Sequence, residues 1–139
     1  FEGIKIVKRL LFILSIVIIV LIINGRSNNS VKAIKADYVD IGLGQSLYEG
    51  YDKVERESVQ SLVNSYNQIE YIGQTNQQLN LDKTISITFV YHDKISGTLM
   101  IDDKGICHTD DSAKNYQIAS NNDTYEQALK IYKDLKQEY

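Results

Sequence analysis

The sequence predicts an α+β domain, a mainly antiparallel sheet with two amphipathic helices, tethered outside a membrane by one N-terminal transmembrane helix. Three observations carry that reading. Leu10–Ile23 (LLFILSIVIIVLII) is apolar except at Ser15. Two later stretches, around Val59–Ile69 and Tyr125–Leu135, repeat apolar side chains at helical spacing, and Thr84–Ile118 alternates apolar and polar residues between short polar turns.

At about 1.5 Å per residue the apolar run makes about 21 Å of helix, short of a hydrocarbon core of roughly 30 Å. Extension through Ile4, Ile6 and Val7 reaches a spanning length if Lys5, Lys8 and Arg9 snorkel to the headgroups. Ile4–Ile23 is therefore read as a single membrane-spanning anchor. A domain this small has little interior in which to bury a helix that is apolar on every face. A secretory signal peptide has the same basic start and apolar core, with Val31-Lys32-Ala33 as a small-residue cleavage site. The distance from Ile23 to Ala33, filled by Asn24, Arg26, Asn28 and Asn29, favours a retained anchor. Either way the C-terminal part is exported. Lys5, Lys8 and Arg9 before the span nearly balance Arg26, Lys32 and Lys35 after it, so orientation rests on the short basic stub, which places the N-terminus inside.

Charge narrows the partners. The chain of 139 residues has a formal net charge of −3; residues 1–26 hold four basic side chains and one acidic one, leaving −6 on the remainder. That balance argues against nucleic acid and against a polybasic grip on anionic lipid. Cys107 is the only cysteine, which excludes an intramolecular disulfide and leaves no acylation site just after the apolar run.

Residues 1–26 thus read as basic stub and anchor, 27–30 (SNNS) as a polar tether, and 31–139 as one extracytoplasmic domain. Val31–Ile41 is rich in β-formers and reads as a first strand, with Ile34, Ala36 and Tyr38 on one face and Val39 and Ile41 on the other. Gly42-Leu43-Gly44 lacks the third glycine of a phosphate loop and reads as a hairpin turn before a returning strand over Ser46–Tyr51. Asp52-Lys53-Val54-Glu55 has capping-box spacing, so a helix is expected to start there, burying Val59, Leu62, Val63, Tyr66 and Ile69. Gly73–Asn80 (GQTNQQLN) is expected to be a loop. A meander follows: Ile85, Ile87, Phe89 and Tyr91 alternate, His92-Asp93-Lys94 turns, Thr98–Ile101 returns, Asp102–Gly105 turns, and Ile106–Thr109 and Asn115–Ile118 complete the sheet. Asp123-Thr124-Tyr125-Glu126 announces a last helix with Tyr125, Ala128, Leu129, Tyr132 and Leu135 as its apolar stripe.

Cys107-His108-Thr109-Asp110-Asp111 gathers a thiol, an imidazole and two carboxylates, the ingredients of a metal ligand set or a Cys-His nucleophile. Strand alternation sends Cys107 and His108 to opposite faces, which makes Cys107 a buried hydrophobe. Asp102, Asp103, Asp110 and Asp111 would meet around calcium only if their two turns shared one edge of the sheet; otherwise they are solvated turn residues. No residue is assigned a catalytic, cofactor-binding or metal-binding role. Ten tyrosines are the unusual feature of the composition, and Tyr38, Tyr48 and Tyr51 are the candidate partner-binding residues, an aromatic patch for a protein, peptide or glycan.

Basic stub, apolar anchor, strand, helix, meander and closing helix together resemble the small membrane-anchored or lipoprotein-type extracytoplasmic proteins of Gram-positive bacteria. The resemblance covers the whole chain in outline and rests on no diagnostic motif. It implies a place at the envelope and no activity, and the chain departs from the lipoprotein version by lacking the anchoring Cys. The expected function is a binding or interaction module at the cytoplasmic membrane, such as an accessory subunit of an envelope complex. The second expectation is an enzyme-like or ligand-carrying domain with a pocket between sheet and helices.

Overall fold

The computed structural model describes residues 29–139, together with Lys8. The anchor Ile4–Ile23 lies outside the described residues, Lys8 apart, and among the described residues no helix is long and apolar enough to cross a membrane. Among the described residues seven strands form one sheet in the order β2-β1-β4-β5-β6-β7-β3, every neighbouring pair antiparallel. They are β1 (Tyr38–Leu43), β2 (Ser46–Tyr48), β3 (Tyr71–Thr75), β4 (Ile85–Tyr91), β5 (Lys94–Ile101), β6 (Ile106–Thr109) and β7 (Asn115–Ile118). Helices α1 (Arg56–Asn67) and α2 (Thr124–Glu138) pack on each other and on the sheet. Val31–Tyr139 is one compact unit.

Alternation explains the core. Val39 and Ile41 of β1, Ile85, Ile87 and Phe89 of β4, Leu99 and Ile101 of β5 and Cys107 of β6 are buried in one cluster. Register lines them up, Ile41 beside Ile87 and Ile87 beside Leu99. The helical stripes meet this face: Val59, Leu62, Val63 and Tyr66 from α1, Ala128, Ile131, Tyr132 and Leu135 from α2. Each fully buried Leu, Ile or Phe side chain stabilises the fold by about 1.5–3 kcal/mol. The space between sheet and helices is therefore occupied by side chains.

Several expectations need correction. Val31–Asp37 is not a strand: Asn67 donates to the Ile34 carbonyl (3.0 Å) and accepts from its N–H (2.9 Å), Gln60 donates to the Ala36 carbonyl (2.9 Å), and Ser96 to that of Lys35 (2.7 Å). Side chains of α1 and β5 hold this backbone where a ladder was expected, and Val31 and Ala36 still reach the core. The returning strand is short, Ser46–Tyr48.

Neither capping box forms. Helix α1 begins at Arg56, and its N-cap Glu55 makes no side-chain cap bond; Asp52 instead sits in a turn at φ 58°. At α2 the carboxylate of Asp123 accepts hydrogen bonds from Ser65 Oγ (2.5 Å) and Gln127 Nε2 (3.0 Å), while Asn122 Oδ1 takes the Thr124 N–H (3.0 Å). The Ser65 and Gln127 bonds hold Asp123 below its ordinary pKa, and the Ser65 bond clamps the end of α1 to the start of α2.

The expected loop at Gly73–Asn80 begins inside a strand. Residues Tyr71–Thr75 form β3 and pair with β7, with a bulge between Tyr71 and Gly73, and the Tyr71 and Tyr116 rings stack at 4.3 Å. The partner strand lies about forty residues downstream, so no local pattern marks this segment.

Finally, Asp102 is not a solvated turn residue. It is 1% exposed, and its carboxylate accepts from the N–H groups of Lys104 (3.0 Å), Ile106 (3.0 Å) and Asn80 (3.1 Å). One acid thereby sets the β5–β6 turn and ties the β3–β4 loop to it.

Candidate functional site

The end of the sheet where β1 starts carries an open cleft built by a close backbone approach. Gly50 passes so near β1 that a Cβ would lie 1.9 Å from the Val39 carbonyl oxygen, so only glycine fits. Its N–H donates to Asp40 Oδ1 (3.0 Å), and its carbonyl accepts from the N–H groups of Lys53 (3.1 Å) and Val54 (3.3 Å). This turn brings Tyr51 back against β1. The rings of Tyr38 and Tyr51 meet edge to face, centroids 5.2 Å apart at 78°, the arrangement aromatic quadrupoles favour.

Asp37, Tyr38, Tyr51, Asp52, Val54 and Arg56 line a cleft of about 260 Å³. The neighbouring β4–β5 hairpin is tied to the cleft through Asp37. Its two-residue turn, His92-Asp93, has φ of 51° and 63°, the left-handed pair that suits tight hairpins, and Asp37 Oδ2 accepts from the His92 N–H (2.8 Å). Burial first, then the Asp40 and Asp93 carboxylates, raises the Tyr38 hydroxyl above its ordinary pKa. Tyr51 is 60% exposed, so a ring face is open to a partner.

The three candidate tyrosines do not form one patch. Tyr48 registers with Ile41 on the core face of the sheet and packs edge to face on Tyr132 of α2, centroids 5.5 Å apart. Asp37, Asp52 and Arg56 join the cleft without any sequence signal that pointed there; Asp52 in particular looked like a helix cap.

Two larger grooves are less selective. One of about 390 Å³ between the start of α1 and the end of α2 mixes Lys53 and Lys130 with Glu55, Asp134 and Glu138. Another of about 450 Å³ beside β3 and β7 is lined by Gln74, Asn76, Gln78 and other exposed polar groups, with Lys114 its one charge. Neither presents an aromatic face.

Around β6, Cys107 is fully buried and registers between Ile101 and Tyr116, whereas half-buried His108 places Nδ1 3.1 Å from Asn115 Oδ1. Burial first, then Asp102 and Asp111, pushes the thiol up to about 12, the reverse of an activated nucleophile. The turns holding Asp102–Asp103 and Asp110–Asp111 lie at opposite ends of β6, as successive hairpins must. Among the described residues no three His, Cys, Asp or Glu side chains converge as a metal site.

Compared with known proteins, the chain matches no family model, no curated protein and no solved structure. The functional reading therefore rests on the residues themselves.

Proposed function

We propose that this chain is a membrane-anchored binding module, held by Ile4–Ile23 as a single-pass anchor, with residues 31–139 outside the cytoplasmic membrane and the Tyr38–Tyr51 cleft as a contact surface. The observation that carries the reading is the apolar run Leu10–Ile23 placed ahead of a unit with its own filled core. A filled space between sheet and helices favours surface recognition over an enclosed ligand pocket, which is why the enzyme-like alternative stands second. The role as an accessory subunit of an envelope complex belongs to the same proposal.

Protease added to intact cells tests the location. Digestion should remove the domain and leave a short membrane-bound stub. Protection until the cells are lysed would overturn the orientation, and recovery of the domain in the medium, cut near Ala33, would replace the anchor by a cleaved signal.

A further inference from the structure

The chemistry lining the Tyr38–Tyr51 cleft specifies more than a generic contact. An aromatic face attracts cations through its quadrupole, and a carboxylate beside it adds direct charge. The cleft supplies both, from Tyr38 and Tyr51 and from Asp37 and Asp52, against one basic lining residue, Arg56. Its surroundings lean the same way: Asp40, Glu49 and Asp93 are close enough to act on the Tyr38 hydroxyl. Lys53, the next basic side chain along, is turned away, its Nζ 4.6 Å from the centre of the Tyr139 ring.

Size and openness choose among cations. Pockets that enclose small molecules run from about 300 to 1,000 Å³ and bury most of the ligand. A cleft of about 260 Å³ with Tyr51 60% exposed suits the tip of one long side chain presented from outside. Lysine fits: its flexible stem lies along Val54 and the rings, and its ammonium reaches the carboxylates. Arginine fits less well, because Arg56 already places one guanidinium in the cleft and Asp37 already shares Oδ2 with the His92 N–H.

We propose that the cleft binds a lysine ammonium on a polypeptide partner. This deepens the binding-module reading by naming the ligand of its site, and it does not depend on which side of the membrane the domain occupies.

The test follows backbone amide NMR shifts of the full chain in maltoside micelles, a detergent without a quaternary ammonium of its own. The probe is the capped tripeptide Gly-Lys-Gly. Its norleucine analogue keeps the stem without the charge, and n-butylammonium supplies the charge without the peptide. Saturable shifts at Tyr51 and Asp52 are expected with the lysine peptide. Binding should weaken at least threefold in Tyr51→Leu and in the charge-only pair Asp37→Asn/Asp52→Asn, which keeps an amide acceptor for the His92 N–H. Equal shifts with the norleucine peptide, or unchanged binding in the Asn pair, would overturn the cation assignment. Butylammonium binding as tightly as the peptide would overturn the polypeptide part and assign the cleft to a free amine. A protected domain in the protease experiment together with lysine-specific shifts here would refute the location and leave the ligand intact; the reverse pattern would refute the ligand alone.

Discussion

Alkaline pH turns Cys107 from a well-packed core residue into a liability. The thiol is fully buried between Ile101 and Tyr116, and burial first, then Asp102 and Asp111, pushes its pKa from 9.0 up to about 12. Between those values the unfolded chain releases the proton and the folded chain keeps it. The folded state then binds more protons than the unfolded one, so stability is fully present below about pH 8.5–9 and falls as pH rises toward 12. At pH 11 the loss from this one group is about 2–3 kcal/mol, a large share of what holds a small domain together. Tyr71 is likewise pushed up to about 12 by its burial, and Tyr66 is also raised, mainly by burial, so both lower stability in the same range. The assay is urea unfolding of the full chain and of Cys107→Ala, in reductant, from pH 7 to pH 11. Comparing the two proteins removes most of the tyrosine contribution. At pH 7 the wild type should be the more stable, because Ala leaves a small void; by pH 11 its advantage should shrink by about 2 kcal/mol or vanish. Alkylation of native Cys107 should be slow and become fast on unfolding, and chelator should leave the melting temperature unchanged, since His108 faces away from the thiol. A stability difference flat across the whole range, or rapid labelling of the native thiol, would refute the placement of Cys107 in the core.

Three further substitutions probe particular contacts, each read by urea unfolding. Leu62→Ala should cost about 2–5 kcal/mol, because Leu62 is fully buried between α1 and the sheet; a loss under about 0.5 kcal/mol would mean the stripe does not face the core. Asp102→Ala should cost about 2–5 kcal/mol by stranding the N–H groups of Asn80, Lys104 and Ile106, and a loss below about 1 kcal/mol would show that water replaces the carboxylate. Thr124 is fully buried at the start of α2 with a hydroxyl that has no partner among the described residues, so Thr124→Val should stabilise by about 1 kcal/mol; destabilisation would reveal a hydrogen bond there.

What the sequence by itself determined is what short-range periodicity can encode. The helical stripe Val59, Leu62, Val63 and Tyr66 and the alternation of Ile85, Ile87 and Phe89 are local patterns, and the elements they mark lie where they predict. The opposite faces of Cys107 and His108 follow from the same period of two. Tertiary structure decided every feature whose partner is distant in the chain. Strand β3 owes its existence to β7, Asp102 is buried because the β3–β4 loop closes over it, and Asp123 binds Ser65 on the other helix as well as Gln127 on its own. The cleft belongs to this second group. Tyr38 and Tyr51 face each other only because Gly50 lets the chain touch β1, and Asp37, before β1, meets Asp52 and Arg56 from the stretch that leads into α1. A residue's neighbours along the chain fix its face of a helix or strand, but its charge partners and ring contacts depend on packing, which couples segments that no local window contains.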